Sequence, residues 1–592
     1  MAKSPKAKPA KLAVPQIFRL LLTILGPESG FLWLAIIYGI GISLLSLATP
    51  ISVQMLINTV ANTGLTMPLI VLSMTLFGLL LVSGLLNALR IHLMELFGRR
   101  FYARMVAEIT LRAIYAQNPF FNDASHGALF NRYFDIVGVQ KAIPVLFIGG
   151  FTVILQAGVG FVLVSLYHPL FLAFNLVLVG LIWLIWLSLG ASAIRSAIDL
   201  SHAKHNTAAW LENLGASNGF FKSEKRVAFA LDKTDEHTRT YVNEHRRHFR
   251  RHFAQTLSFL ILYAGASASL LGLGGWLVIQ GQLTLGQLVA AELVLSAAFF
   301  GVSQLGIYLN YFYDLCAAVE ELSLFYDVEQ EEPVGDDPIA DRDHTLVFHQ
   351  LRGEGRRSAV NLHLEISNGA TIMAAASDHG VQRLFTNILK RHIHGDSGFV
   401  TLGGVDLKDL DVHCLRHSIY VIDRASFIGM SIRDYLALSA QDHSSVARRT
   451  VEALETVGLS SVVASLSDGL DTQIASTGWP LSTAEVLQLK LANALISKPR
   501  ILILNQLFDL IEEEYLAAAI AELRDQSETT VVYFSNRQVD LGFDTFVYFE
   551  TQEQTFFQTH EDFRRRAHCG VPDRPASAQH VQLKAINLIG ED

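Results

Sequence analysis

Residues 67–96 read MPLIVLSMTLFGLLLVSGLLNALRIHLMEL, and no charged residue occurs in this stretch before Arg90. A helix needs about 20 apolar residues to cross the hydrocarbon core of a bilayer. The stretch supplies them and then continues into polar sequence that is still compatible with a helix. It therefore predicts a transmembrane helix that extends well beyond the membrane.

Five further stretches have the same apolar character. They lie at about 32–58, 142–166, 169–193, 256–280 and 286–312. The fourth, fifth and sixth of the six resulting spans also continue into helix-compatible polar sequence. The composition agrees with a membrane protein, because 51% of the residues are hydrophobic and only 17% are charged. The first 15 residues, MAKSPKAKPAKLAVP, are basic and precede no cleavage site of small residues, so we interpret them as cytosolic.

The placement of lysine and arginine predicts the orientation of the spans. The short connections at 59–67, 167–169 and 280–286 contain neither residue, whereas the long connections contain many. Since positively charged loops stay on the cytosolic side, the long loops and both termini are predicted to be cytosolic. Each long loop contains a stretch, Asn118–Phe130 or Trp210–Phe221, that is either a short transverse helix or an ordinary loop.

Two polar features of this half have possible functional meanings. Glu292 lies near the outer start of the sixth span, where it either lines a translocation path or sits at the headgroup boundary. A second feature is a group of histidines with helical spacing, His245, His248 and His252, which could indicate a metal site. The arginines among them would repel a cation, so we interpret the group as part of a basic juxtamembrane face. The three cysteines are scattered and indicate neither disulfides nor zinc, so no metal site is predicted. No basic stripe with interleaved aromatic residues indicates nucleic acid.

Beyond about residue 327 the composition becomes that of a soluble domain. Thr371–Ala376 predicts a buried strand, Val381–Arg391 the helix after it, and Arg500–Leu504 and Thr529–Phe534 two further strands. This order is typical of a parallel sheet flanked by helices. The predicted segments are a cytosolic tail (1–14), an all-α six-helix transmembrane domain (15–327), a linker (328–344), an α/β domain (345–560) and a carboxy-terminal tail (561–592).

Residues 481–508, LSTAEVLQLKLANALISKPRILILNQLF, resemble the region of an ATP-binding-cassette (ABC) ATPase from the signature motif LSGGQ to the Walker B strand. Asn505 follows Leu481 by 24 residues, which matches the family without a gap. Residues 398–438 resemble the segment that enters the Q-loop, and AAASDHGVQRLFTNILKR at 374–391 takes the place of the phosphate-binding loop. LATPISVQMLINTVANTG and GQLTLGQLVAAELVL resemble the first and sixth spans of exporters of type I secretion systems.

The resemblance covers about residues 15–560 and implies an ABC exporter half-transporter, with a six-helix transmembrane domain followed by an α/β ABC nucleotide-binding-like domain. It also implies a dimer, because ATP sites in this family form between the phosphate-binding loop of one chain and the signature of the other. The chemical residues, however, are not preserved, and GxxxxGK[ST] occurs nowhere in the chain.

The register assigns each residue of the family's nucleotide site to a position in this chain. In the phosphate-binding loop, Ala375 stands at the first glycine, Asp378 within the loop, Gly380 at the last glycine, Val381 at the lysine, and Gln382 and Arg383 at the hydroxyl positions. Asp423 stands at the Q-loop, Ser482, Thr483, Ala484 and Glu485 in the signature, Asn505 and Gln506 at the Walker B acids, Glu512 at the D-loop aspartate and Asn536 at the switch histidine. Valine cannot offset phosphate charge, and the two amides lack the charge of the acids they replace.

This pattern indicates a pseudo-ATPase, with no catalytic residue and no cofactor expected on this chain. ATP and Mg²⁺ are expected only where a partner chain supplies an intact site. The first hypothesis is a catalytically impaired half of a type I secretion-like exporter in a bacterial inner membrane. It would pair with a second ABC half, with a periplasmic adaptor protein as a possible further partner. The alternatives are an ATP-independent homodimeric membrane scaffold and an active ATP-driven homodimeric exporter, and the substrate stays open.

Overall fold

The computed structural model describes residues 14–63, 66–117, 128–331, 335, 344–355, 359–425, 427–439 and 446–569. They form two compact units, one within residues 4–331 and one within residues 332–592. Residues 1–13, residues 118–127 of the first loop stretch, most of the predicted linker and the tail from residue 570 lie outside the described residues.

The described residues of the first unit form helices, apart from one isolated bridge between Ala116 and Gln330. The helices are α1 (Val14–Leu25), α2 (Ser29–Leu45), α3 (Ala48–Thr63), α4 (Thr66–Ile114), α5 (Asp135–Pro144), α6 (Phe151–Ser165), α7 (Pro169–Ala216), α8 (Glu224–Ile279) and α9 (Leu285–Ser323). A π-helical turn, Val145–Gly150, joins α5 to α6. The first predicted span is divided between α2 and α3, a break that the sequence did not predict.

Six helical stretches of this unit are long and apolar enough to cross a membrane, which agrees with the six predicted spans. Helices α4, α7, α8 and α9 contain 49, 48, 56 and 39 residues. Since a helix rises about 1.5 Å per residue, all four are much longer than the roughly 30 Å of a bilayer's hydrocarbon core. The predicted extension of these four helices beyond the membrane is therefore confirmed.

The second long connection predicted from the sequence, between the fourth and fifth spans, is mostly helical, because α7 and α8 extend through nearly all of it. A single 3₁₀ turn, Asn218–Lys222, connects them. Trp210 belongs to α7, donates to Thr234 Oγ1 at 2.9 Å and packs edge-on against Phe221. Of the two alternatives for Trp210–Phe221, a transverse helix or an ordinary loop, the structure shows neither a separate α-helix nor a long loop but this one turn, because α7 and α8 take up the chain on either side.

The second unit contains two main sheets and their covering helices. Its strands are β1 (Leu346–Glu354), β2 (Ala359–Ile366), β3 (Thr371–Ala376), β4 (Ser397–Leu402), β5 (Val405–Asp406), β6 (Ile419–Ile422), β7 (Met430–Ser431), β8 (Gln473–Ile474), β9 (Ile501–Leu504), β10 (Thr530–Phe534), β11 (Thr545–Phe549) and β12 (Gln554–Phe557). Its helices are α10 (His379–Leu389), α11 (Val412–Ser418), α12 (Ile432–Ala437), α13 (Val446–Thr456), α14 (Ser460–Ser465), α15 (Thr483–Ser497), α16 (Glu513–Ser527) and α17 (His560–Cys569).

The larger sheet has the strand order β12-β11-β3-β10-β9-β6, and all of its pairings are parallel except that of β11 with β12. In register, Val531 lies beside Thr371 and Leu502. Alternate residues of β3 enter two different apolar cores, Met373 one and Ile372 the other. Both faces are therefore covered, as expected of a parallel sheet. The three predicted strands of this sheet are found within one residue of their predicted bounds.

The smaller sheet is antiparallel, with the order β2-β1-β4-β5, and the sequence did not predict it as a separate layer. The end of the unit also differs from the predicted tail. Helix α17 begins at His560, and its Phe563 is only 2% exposed, with its ring 5.6 Å from that of Phe546. Residues 561–569 therefore belong to the packed unit, because burial of this one aromatic side chain holds the helix against β11.

Candidate functional site

The connection between β3 and α10 lies where the resemblance places a phosphate-binding loop. It consists only of Ser377 and Asp378, because β3 continues through Ala376. Ala375, at the first glycine position, is paired in the sheet with Tyr548 of β11. The backbone N–H of Ser377 donates to the carbonyl of Phe549 at 2.9 Å. A phosphate-binding loop needs free backbone N–H groups around a curve of chain, and here the corresponding backbone is part of a strand.

Asp378 caps the amino-terminal end of α10. Its Oδ1 accepts a hydrogen bond from the backbone N–H of Gly380 at 3.1 Å, and its carbonyl accepts one from Val381 at 3.0 Å. A helix amino terminus attracts anions through its unpaired N–H groups and its dipole. At this helix the chain's own carboxylate already occupies that position.

Val381, at the position of the phosphate-binding lysine, is completely buried. It belongs to the apolar core that also contains Phe385 and Phe549. Gln382 is half-buried and Arg383 is exposed. A triphosphate at the amino-terminal end of α10 would therefore meet no lysine ammonium at position 381 and no uncapped helix end.

Asn505, at the first Walker B acid, is held by two hydrogen bonds. Its Oδ1 accepts from the backbone N–H of Leu507 at 3.0 Å, and its Nδ2 donates to the carbonyl of Asp423 at 2.8 Å. A carboxylate cannot donate the second bond, so the amide is a structural fit at this point. Gln506, beside it, is half-buried.

Asp423, at the Q-loop position, also faces a cation that the sequence did not single out. Its Oδ2 lies 3.7 Å from Lys390 Nζ, at the end of α10. Burial lowers the pKa of Lys390, and the Asp423 carboxylate opposes that shift. The backbone carbonyl of the next residue, Arg424, accepts from Lys490 Nζ at 2.8 Å. Lys390 and Lys490 therefore both lie beside the Q-loop position, although neither belongs to a motif that would have indicated it from the sequence.

The signature segment begins α15 with a capping box. Ser482 Oγ accepts from the backbone N–H of Glu485 at 3.3 Å, and Glu485 Oε2 accepts from the backbone N–H of Ser482 at 2.6 Å. Thr483 is exposed and Ala484 half-buried in the same turn. Capping boxes satisfy N–H groups that a helix otherwise leaves free. Like α10, this helix therefore carries a carboxylate of its own chain at its amino terminus.

The segment after Walker B is held by Arg537, a residue that the sequence did not indicate. Its Nη2 donates to the carbonyls of Phe508 (3.2 Å), Asp509 (3.1 Å) and Ile511, and its side chain is only 9% exposed. The Asp509 carboxylate in turn accepts from Ser535 Oγ at 2.7 Å.

The two remaining positions of the family's site lie at the edges of this arrangement. Asn536, at the switch position, is exposed, and its backbone N–H donates to Asp509 Oδ2 at 3.1 Å. Glu512, at the D-loop position, is exposed at the start of α16. Their side chains are thus on the surface of the unit, while the backbone beside Asn536 is anchored.

In the helical unit, Glu292 is half-buried on α9. Its Oε1 accepts from Ser296 Oγ at 2.9 Å, and its Oε2 is buried without a hydrogen-bond partner among the described residues. A separate cavity of about 430 Å³, lined almost entirely by apolar side chains such as Phe151 and Tyr308, does not include it. The structure therefore does not join Glu292 to this cavity, and its role in a translocation path stays a prediction.

Comparison with known proteins shows which transporters share the fold of this chain. Residues 32–201 match the family model of the ABC transporter transmembrane region. The solved structure of a bacterial Atm1-family ABC exporter with ATP bound superimposes with a TM-score of 0.75, at 16% identity, covering 93% of this chain and 97% of that chain. The chain thus has the fold and domain order of an ABC exporter half-transporter.

Individual relatives differ in what they export. An ABC multidrug transporter of Aspergillus fumigatus is 24% identical over 557 residues, which are 88% of this chain and 68% of that protein. The leukotoxin translocation ATP-binding protein of Mannheimia glucosida is 26% identical over 249 residues, 41% of this chain and 35% of that protein. A β-(1→2)glucan export ATP-binding/permease protein of Mesorhizobium japonicum is 25% identical over 44% of this chain and 45% of that protein. The last two matches span less than half of those relatives.

Proposed function

We propose that this chain is a catalytically impaired half of an ABC exporter, which does not bind and hydrolyse ATP by itself and pairs with another ABC half to move a substrate across a membrane. The exporter fold and the relatives support the transport part of this proposal. The proposed location is a bacterial inner membrane with both termini in the cytosol, supported by the distribution of lysine and arginine among the loops.

The observation that carries the proposal is the buried Val381 behind the Asp378 cap of α10. A phosphate held at this helix end would displace or face the Asp378 carboxylate and would lack the lysine. Charge-assisted hydrogen bonds contribute about 1.5–3 kcal/mol each. Loss of the lysine contact alone therefore lowers nucleotide affinity by roughly 10-fold to 100-fold, since 1.4 kcal/mol corresponds to a factor of ten.

A partner with an intact phosphate-binding loop would still meet the signature segment of this chain. There the Glu485 carboxylate is already bonded to the amino terminus of α15. Like charges repel, so this carboxylate disfavours a γ-phosphate at the same helix end. The mixed pair would accordingly bind ATP on the partner's loop and hydrolyse it slowly at the site completed by this chain.

The test is to purify the full chain in lipid nanodiscs, alone and co-expressed with candidate ABC halves that carry intact nucleotide-binding motifs. ATP binding is measured with a fluorescent ATP analogue and displaced with ATP, and turnover is followed by phosphate release. For the chain alone we expect no saturable binding below millimolar ATP and no turnover. An ABC exporter with intact motifs, reconstituted in the same way, is the positive control.

Each alternative function has a distinct outcome in this experiment. Micromolar ATP affinity of the chain alone, with turnover, would contradict the proposal and indicate an active homodimeric exporter. A stable homodimer without ATP binding that forms no complex with any ABC half would instead favour the scaffold hypothesis. Turnover that appears only in the mixed complex, and that is slower than in the positive control, is the result we expect.

A further inference from the structure

Five titratable side chains from three distant parts of the chain meet inside the helical unit. We call them the His–carboxylate cluster: Asp135 at the start of α5, His202 and His205 on α7, and Glu320 and Glu321 near the end of α9. The two histidines, three residues apart, lie on the same face of their helix. The three carboxylates are at most 8% exposed, and His205 is 6% exposed.

The cluster has the dimensions of a metal site. His202 Nε2 lies 2.9 Å from Glu320 Oε2 and 3.8 Å from Glu321 Oε1, and one ligand atom from each of these three residues falls within 4.8 Å of the others. His205 Nε2 lies 4.0 Å from the same Glu321 oxygen and is hydrogen-bonded to Asp135 Oδ2 at 2.6 Å, a bond that it would exchange for a metal ion. A tetrahedral zinc ion with bonds of about 2.0–2.2 Å separates its ligand atoms by roughly 3.3–3.6 Å. The observed spacings bracket that value.

One atom of the cluster is buried without a partner. Glu321 Oε1 has no hydrogen bond among the described residues, although its side chain is 0% exposed. Its other oxygen, Oε2, accepts from Arg132 Nε at 2.5 Å. A buried charged oxygen that lacks a hydrogen bond is costly. This oxygen lies 3.8 Å from His202 Nε2 and 4.0 Å from His205 Nε2, and a cation bound among these three atoms would satisfy it.

The charges around the cluster also favour a cation. Three carboxylates are opposed by Arg132 and by Lys204, whose Nζ lies 2.9 Å from Asp135 Oδ1. The three carboxylates thus outnumber the two basic side chains that pair with them. This excess of negative charge favours a further cation at this point.

The cluster lies beyond the membrane, where ions can reach it from water. His202 is the thirty-fourth residue of α7 and Glu320 the thirty-sixth of α9. At about 1.5 Å per residue, both lie roughly 50 Å along their helices, compared with about 30 Å of hydrocarbon core. Both residues are therefore in the extensions of the helices.

We propose that His202, Glu320 and Glu321 bind a divalent transition-metal cation of the zinc type, with His205 as the fourth ligand, and that this ion ties α7 to α9. Mixed imidazole and carboxylate ligands are typical of zinc and its first-row neighbours, whereas Mg²⁺ prefers oxygen ligands and retains its waters. The sequence had predicted no metal site. The sequence had drawn attention to the histidines at 245, 248 and 252, whereas the histidines that the fold places beside carboxylates are His202 and His205.

The test uses the full chain in detergent, treated with a chelator and then titrated with Co²⁺, whose visible absorption reports coordination by four ligands. We expect one Co²⁺ per chain, displaced by Zn²⁺ and not by a large excess of Mg²⁺. His202→Gln and Glu320→Gln are expected to lower the affinity at least about 100-fold, since even the loss of a residue that only supports a ligand costs roughly 10-fold to 100-fold. His245→Gln, which changes an exposed histidine of α8, is the matched control and leaves the affinity unchanged.

A fourth variant keeps the test decisive if the glutamine variants fold poorly. His202→Cys retains a ligand at the same place and is expected to add an intense sulfur-to-cobalt charge-transfer band in the near ultraviolet. The proposal is wrong if folded wild-type protein binds no stoichiometric Co²⁺. It is also wrong if the cluster variants bind as tightly as the control, or if His202→Cys binds Co²⁺ without that band.

Discussion

Replacement of Val381 by lysine restores the residue that the phosphate-binding loop of ABC ATPases carries at this position, and the structure predicts that it destabilises the protein. Val381 is completely buried. Burial of a valine side chain contributes about 1.5–3 kcal/mol, much of which a lysine loses. A buried lysine must also give up its proton, which costs about 1.36 kcal/mol for each pH unit between the medium and its ordinary pKa of about 10.4. At pH 7.5 deprotonation costs about 4 kcal/mol, and the two effects together amount to roughly 5–7 kcal/mol.

The assay is thermal unfolding of the full chain in detergent, followed by intrinsic fluorescence and by limited proteolysis of the second unit. For a unit of this size about 1 kcal/mol shifts the midpoint by roughly 2–4 °C, so Val381→Lys is expected to lower it by roughly 10–28 °C. Gln382→Lys is the matched control, because it introduces the same side chain at the neighbouring, half-buried position, and we expect a shift of at most a few degrees. Unchanged stability of Val381→Lys together with a gain of ATP binding would refute the reasoning.

Three further substitutions test other contacts of the second unit through the same unfolding transition. Asn505→Asp places a carboxylate against the carbonyl of Asp423, and we expect a loss of about 1–3 kcal/mol without any gain of Mg²⁺-dependent ATP turnover. Arg537→Leu removes the arginine's hydrogen bonds to three backbone carbonyls and is expected to cost about 2–4 kcal/mol, of which Arg537→Lys recovers only part. Phe563→Ala is expected to cost about 3–5 kcal/mol and to expose the last helix to protease, whereas Phe556→Ala, at a 43% exposed position, has little effect on either. Equal effects of the two phenylalanine substitutions would contradict the docking of α17.

The features that could be predicted from the sequence are those encoded within one continuous stretch. The apolar run in α4 specifies a spanning helix by itself, and the same holds for the strand Thr371–Ala376. The break between α2 and α3 was missed because no charged residue interrupts the stretch 32–58 in which it falls. The packing of α17 was missed because one phenylalanine in a strongly charged segment, HEDFRRRAHC, gives little periodic signal.

The candidate site was predictable as a set of positions, but not as a set of contacts. The gapless register identified Asn505, but only the fold shows that its amide donates to a carbonyl 82 residues away in sequence. The capping box of Ser482 and Glu485 was visible in principle, because a serine followed three residues later by a glutamate is a local signal. The His–carboxylate cluster gave no such signal, because its members are far apart in sequence. Asp135 precedes His205 by 70 residues, and Glu320 follows His202 by 118.

The carboxylates that cap α10 and α15 have a consequence for the history of this chain. Removal of either cap costs about 0.5–2 kcal/mol immediately, whereas a benefit from bound nucleotide arises only after several other positions have also changed. A lysine at 381 or an aspartate at 505 likewise lowers stability before it contributes to any reaction. On the proposed function, the route back to an ATP-driven enzyme therefore passes through less stable intermediates. Natural selection for folded protein would work against such intermediates, so on this proposal an ATPase activity, once lost, would not be regained one substitution at a time.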